Sequence, residues 1–260
     1  MERIPIFPAL GIIGMFFLMG CQSPLPTISF AGHLYNESDS LNGPVNEFLT
    51  KVEAQNPDVF LWGGDVSDFG AMAPSTWVNF DKKWKGRSYL AFGNHDLASP
   101  QGYDQKSIDS LPPFQFFELS DSVKLVVFQT VQKSNFDIDS VVFMAEMENY
   151  PVQILLMHHP LFWNLVDSSW KPNAGYGSES YQISTDQNFR STWMPLLQEQ
   201  ANNGHQIWCL AGDFGKLQLQ NHQFSKNIHF VGVGGNGKAF KFAMLKPTRN
   251  RYSIQFYPQP

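Results

Sequence analysis

Side chains able to bind a metal ion or move a proton recur in this chain at one kind of place, directly after a short apolar run. Asp65 and Asp68, in Gly64-Asp65-Val66-Ser67-Asp68, follow Val59-Phe60-Leu61-Trp62. Asn94 and His95, in Gly93-Asn94-His95-Asp96, follow Tyr89-Leu90-Ala91-Phe92. His158-His159-Pro160 follows Val152 to Met157, and Gly212-Asp213 follows Ile207 to Ala211. Apolar runs of roughly four to eight residues that end in glycine or polar residues read as buried strands with loops at their carboxyl ends. Ligands placed repeatedly at strand ends converge at one edge of an α/β sheet. Carboxylate, carboxamide and imidazole together form a mixed oxygen and nitrogen donor set suited to Mn, Fe or Zn. Their chemistry is that of a metal-dependent hydrolase.

The elements that must position these groups are legible around them. The first apolar run, Ile28-Ser29-Phe30-Ala31-Gly32, leads into His33. Val45, Phe48, Leu49 and Val52 then recur at helical spacing behind Pro44, and Asn56-Pro57 closes the segment. Strand, helix and strand in this order form a βαβ unit, which sets His33 and Asp65 at one edge of a parallel pair. Phe114 to Leu119 and Lys124 to Thr130 flank Ser120-Asp121-Ser122 as a hairpin. Trp193, Leu196, Leu197 and Gln200 suggest a short helix, and His229 to Val233, Lys241 to Leu245 and Tyr252 to Tyr257 suggest strands. Trp163 to Ser191 is polar and aperiodic, a long loop placed to roof the site. Gly232-Val233-Gly234-Gly235-Asn236-Gly237-Lys238 fits two phosphate-loop patterns by letter, but Ala239 stands where a Mg²⁺-binding hydroxyl is needed and no helix pattern follows. It reads as a glycine turn. His205, His222 and His229 match no motif and read as surface or packed histidines.

These motifs, in this order, resemble those of the calcineurin-like metallophosphoesterases, whose pattern is D-x-H, G-D-x-x-D, G-N-H-[DE], H-x-P and G-H-x-H. Three are intact here: Gly64 to Asp68, Gly93 to Asp96 and His158 to Pro160. Two are altered. Ala31 stands for the Asp of D-x-H, with His33 kept; Asp213 and Gly215 stand for the two His of G-H-x-H. The resemblance covers about Thr27 to the end of the chain. It implies a four-layer α/β/β/α sandwich of two mixed sheets, and hydrolysis of a phosphomonoester or phosphodiester by a metal-bound hydroxide. It gives Asp65 as the ligand bridging two ions, with Asn94, His158 and Asp213 completing one, so the first ion keeps only His33 and Asp65. The expected cofactor is therefore one tightly bound divalent ion and a second that is weak or absent. His95 is implied as phosphate-binding general acid, oriented by Asp68, and His159 as a residue that braces its loop or faces the substrate. The alternative is a degenerate relative that binds a phosphorylated envelope ligand or partner without turnover. Lost ligands favour that alternative; the intact Asn94-His95-Asp96 opposes it, since a binder has no need of an acid.

The ends and the composition add a location. Arg3, an apolar stretch from Ile4 to Met19 and Leu18-Met19-Gly20-Cys21 form a lipoprotein-type signal, with an uncleaved signal anchor as the other reading. This gives a signal peptide at residues 1–20, a short tether at 21–26 and a phosphoesterase domain at 27–260. Lipid on Cys21 would hold the protein to a membrane of the cell envelope, facing out of the cytoplasm. No Asp follows Cys21, so the inner-membrane retention signal is missing. Cys209, the only other cysteine, lies in an apolar run and reads as a buried hydrophobe. Net charge −5, with no basic cluster, argues against a nucleic-acid surface.

Overall fold

The computed structural model describes residues 24–33, 44–66, 87–96, 98–99, 102–103, 110–131, 140–162, 189–213, 219–234 and 241–257. Strands β1 (Ile28–Ala31), β2 (Val59–Trp62) and β3 (Arg87–Leu90) pair in parallel, with helix α1 (Pro44–Glu53) crossing from β1 to β2. Ile28 pairs with Val59 and Ala31 with Trp62, so the loops after β1 and β2 leave the sheet side by side. Strands β12 (Phe242–Thr248) and β13 (Arg251–Tyr257) complete this sheet antiparallel, in the order β13-β12-β1-β2-β3. A two-stranded ribbon, β4 (Ala98–Ser99) and β5 (Gly102–Tyr103), stands apart from it.

The second sheet runs β10-β11-β9-β8-β7-β6. It contains the expected hairpin, β6 (Phe114–Ser120) and β7 (Val123–Phe128), then β8 (Val152–Met157), β9 (Gln206–Ala211), β10 (Leu219–Gln223) and β11 (Ile228–Val233). Strands β7, β8, β9 and β11 are mutually parallel. Helices α2 (Ser140–Met147) and α3 (Met194–Asn202) belong to this half, α3 being preceded by a π-helical turn at Phe189–Trp193. That turn corrects the expected loop, whose last three residues are helical; Trp163 to Asn188 lie outside the described residues. Helix α2 escapes sequence reading because Val141, Val142, Phe143 and Met144 are apolar in succession and show no helical period.

Three apolar clusters define four layers. Ile28, Phe30, Val59 and Leu61 of the first sheet meet Leu125, Ile154, Leu156 and Leu210 of the second. The alternate residues Ala31, Phe60 and Trp62 face Phe48, Leu49 and Val52 of α1. On the far side, Leu155, Met157, Cys209 and Phe230 face Phe143, Trp193 and Leu197. The α/β/β/α sandwich is thus present. Central strands buried on both faces divide their side chains between two cores, which is why they read as unbroken apolar runs. Burial pushes the Cys209 thiol up, in keeping with an inert packed residue.

Candidate metal centre

Parallel strands of both sheets end at the same edge, and glycines let the two edges touch. A Cβ on Gly212 would lie 2.0 Å from the carbonyl oxygen of Gly63, and one on Gly93 would lie 2.1 Å from Oδ1 of Asp65. No larger residue allows these approaches. His33 and Asp65 follow β1 and β2 with φ of 54° and 53°, left-handed conformations that cost non-glycine residues about 1–3 kcal/mol each. The His33 N–H donates to the Gly64 carbonyl at 2.9 Å, tying the two turns together.

Asp96 organises the turn after β3. Its Oδ2 accepts the N–H groups of Asp65 and Gly93, both at 2.9 Å, and its Oδ1 accepts that of Val66 at 2.8 Å. The His95 N–H donates to Asp65 Oδ1 at 2.9 Å. Gln129, at the end of β7, bridges the sheets: its Oε1 accepts from Phe92 N–H at 3.0 Å and its Nε2 donates to the Leu90 carbonyl at 3.3 Å. Sequence reading assigns Asp96 and Gln129 no role. The signal for Asp96 is its place as last letter of an intact motif; Gln129 has none, because its partners are about forty residues away in the other sheet.

The polar side chains then face one another. Asp65, a buried carboxylate, holds Oδ2 at 3.7 Å from His33 Nε2 and 3.5 Å from His158 Nε2. Asp213 Oδ1 is 4.0 Å from His33 Nε2, and Asn94 Oδ1 is 3.2 Å from His158 Nε2. His158 Nδ1 is 2.7 Å from the Gly63 carbonyl, which can only accept, so Nδ1 carries the proton. Burial, reinforced by neighbouring His33 and His95, lowers the His158 pKa to about 3, and the ring is neutral at pH 7. Its bare Nε2 therefore faces two oxygen acceptors with no hydrogen available from the ring. A cation resolves that conflict. Ligand atoms about 2.1 Å from one ion lie roughly 3.0–3.5 Å apart, close to the spacings here and longer than good hydrogen bonds. The residues present fit a divalent ion.

His33, Asp65 and Asp213 each place a ligand atom within 4.8 Å of the others, and so do His158, His159 and Asp213. His159 donates its N–H to Thr130 Oγ1 at 2.9 Å, and its Nδ1 is 3.2 Å from the Thr130 carbonyl. Burial lowers its pKa to about 4, and the neighbouring His158 adds to the effect. The structure thus brings together His33, Asp65, Asn94, His95, His158, His159 and Asp213. Asp68, Gly215 and Cys21 lie outside the described residues. Ala31, where the family pattern has Asp, packs into the apolar cluster beside Phe60 and Trp62. His205 and His229 are elsewhere: one ring meets the Tyr150 carbonyl at 2.8 Å, the other stacks on Trp208 at 4.2 Å.

Two mixed sheets packed face to face, with imidazole and carboxylate gathered at their shared edge, define a metallophosphoesterase architecture. The sequence model described as calcineurin-like phosphoesterase matches residues 41–231, well over half of the chain, and the chain belongs to that family. A dimetal phosphatase from Danio rerio is similar in fold, with a TM-score of 0.58 and 8% identity over 90% of this chain and 96% of that one. A hypothetical protein from Thermus thermophilus gives a TM-score of 0.49 and 11% identity over 89% of this chain and 98% of its own. For a 5'-nucleotidase from Candida albicans the TM-score is 0.44 and the identity 11%, over 90% of this chain and 53% of that chain. At such identities likeness establishes fold alone. Among curated protein sequences none matches the chain.

Proposed function

We propose that this protein hydrolyses a phosphomonoester or phosphodiester outside the cytoplasm, held to a membrane of the cell envelope by lipid on Cys21. The family supports phosphoester hydrolysis in general. The observation that supports metal-dependent chemistry in this particular chain is the bare Nε2 of His158 facing Asp65 and Asn94, an arrangement that a cation completes.

Asp65, Asn94, His158 and Asp213 would hold the tighter ion, and His33 with Asp65 would hold a second one more weakly. When bound, the ions screen phosphate charge and make water a nucleophile near neutral pH. The chain's own residues do the rest. Carbonyls of Gly63 and Thr130 fix the His158 and His159 rings so that their other nitrogens point forward. Asp96 locks the Asp65 and Gly93 turns, holding Asp65 and His95 in register. His95, half-buried beside Asp65, binds a phosphate oxygen and protonates the leaving alkoxide. His159, braced by Thr130, lines the substrate side. The leader at residues 1–20 and the Leu18-Met19-Gly20-Cys21 sequence support the anchor and the envelope location.

The test joins metal analysis of the purified domain to turnover of a panel of mono- and diesters. Bound Mn, Fe or Zn with ester hydrolysis is expected. His95→Ala should keep its metal and lose roughly a hundred-fold in rate, less on nitrophenyl esters, whose leaving groups need little protonation. Equal loss on all esters would make His95 a binding residue only. Metal and phosphate binding without turnover of any ester would favour the non-catalytic relative, as the loss of the Asp at position 31 does.

A further inference from the structure

We infer that Asp213 is a second bridging carboxylate, reaching both ion positions at once, and that His159 supplies the nitrogen that a histidine at position 213 would have given. The inference rests on the metal-dependent reading above and changes its ligand plan. By the family pattern, position 213 serves one ion. Among the described residues, Asp213 is the one common to both groups of close ligand atoms, His33 with Asp65 on one side and His158 with His159 on the other.

The chemistry follows from the residue type. An imidazole held at the end of a strand presents one nitrogen to one ion, whereas a carboxylate presents two oxygens and can span two. Asp213 is set for that role by its backbone, whose N–H donates to the His158 carbonyl at 2.9 Å, and by Oδ1 lying 4.0 Å from His33 Nε2. Its side chain remains 14% exposed, enough to shift on loading, while His33 and Asp65 are almost wholly buried. His159 stacks edge-on against His158 at 4.6 Å between ring centroids. Its Nδ1 lies 3.2 Å from both the carbonyl and the hydroxyl oxygen of Thr130; with the Nδ1 proton directed at the carbonyl, Nε2 keeps the lone pair. Two nitrogens and the shared carboxylates Asp65 and Asp213 then serve one ion, together with Asn94. His33, Asp65 and Asp213 serve the other, giving it three side chains instead of two. Three side chains, two of them shared, also imply an order of loading: the second ion enters once the first has fixed the bridges.

Manganese binding to the lipid-free domain tests this without reference to catalysis. Titration with Mn²⁺, followed by electron paramagnetic resonance and by calorimetry, should give two unequal sites. At the second equivalent the signal of the isolated ion should give way to that of an exchange-coupled pair. Asp213→His, which restores the family residue, should keep the tight ion, weaken the second at least ~10-fold and reduce the coupling of the pair, which Asp65 alone would then bridge. His159→Gln should weaken the tight ion by a similar factor while circular dichroism stays unchanged. Two coupled ions of wild-type affinity in Asp213→His would overturn the bridge, and an unaltered tight site in His159→Gln would remove His159 from the ligand set. One ion only in the wild type at saturating Mn²⁺ would refute the bridge but spare the hydrolase reading. No ion at all would sink both.

Discussion

At the scale of single residues, the centre depends on histidines kept neutral by burial and steered by backbone carbonyls. His158 and His159 have pKa values lowered from 6.5 to about 3 and about 4. The unfolded chain takes up protons on both rings as pH falls through 6.5, whereas the folded, metal-free domain does not. Their contribution to stability is therefore complete above about pH 6.5 and is lost as pH falls towards 4. Urea midpoints of the metal-free domain should decline between pH 7.5 and 5, with a slope approaching about 1.4 kcal/mol per pH unit for each histidine. His159→Gln should make the decline shallower. A flat profile over that interval would mean that both rings accept protons inside the fold.

At the scale of elements, what makes a site of separate strand ends is the contact between Gly63 and Gly212, where the two sheets meet. A methyl group on Gly212 would sit 2.0 Å from a carbonyl oxygen that belongs to the β2 turn, so one strand end must move. Gly212→Ala should cost about 3 kcal/mol in denaturant unfolding and lower metal affinity, since Asp213 moves with it. Gly204→Ala is the comparison: φ there is +96° but nothing lies within 4 Å of an added Cβ. It should cost only about 1 kcal/mol and leave metal binding intact. Equal metal affinity in the two variants would show that the glycine contact does not position the site.

At the scale of the whole molecule, the segment that leads into β1 and the metal-ligand cluster lie at opposite ends of that strand. Leu25 and Pro26 are buried, the Tyr252 hydroxyl donates to the Pro26 carbonyl at 2.6 Å, and the Thr27 N–H donates to Asp58 at 2.7 Å. Only Gln22, Ser23 and Pro24 separate Cys21 from this docked segment. Three residues span at most about 11 Å, while Leu25 and His33 are separated by about 25 Å of extended chain. A lipid on Cys21 would therefore press the pole with Asn149, Asn203 and Arg249 towards the bilayer and turn the metal centre away from it. The mature N-terminus should be an acylated Cys21 by mass analysis, and Cys21→Ser should release the protein. In vesicles carrying an acceptor lipid, energy transfer from a fluorophore at Asn203→Cys should exceed that from one at Lys241→Cys. Inserting about 20 glycine and serine residues after Ser23 should abolish the difference. The reverse ranking would place the centre at the membrane, and a mature chain beginning at Met1 would remove the anchor.

The sequence by itself determined most of the strands and the polar turns that follow them, because buried parallel strands are unbroken apolar runs and their carboxyl ends must carry the polar turns. It placed His33 beside Asp65 through a βαβ unit, as the register of β1 and β2 bears out. It left unread the apolar helix α2 and the short strand β10, whose Gln220, Asn221, His222 and Gln223 carry no strand pattern and pair only at an edge. Only the tertiary structure decided how the donors meet. Gln129, Gly212 and Asp96 act through partners 30 or more residues away, on neighbours that folding supplies. Position 213 shows the division most plainly. Its identity as Asp could be read as a loss of the family's histidine, but its place between His33 and His159 comes from the packing of one sheet edge against the other. Local periodicity specifies strands; the meeting of two sheets depends on long-range contacts that no local pattern encodes.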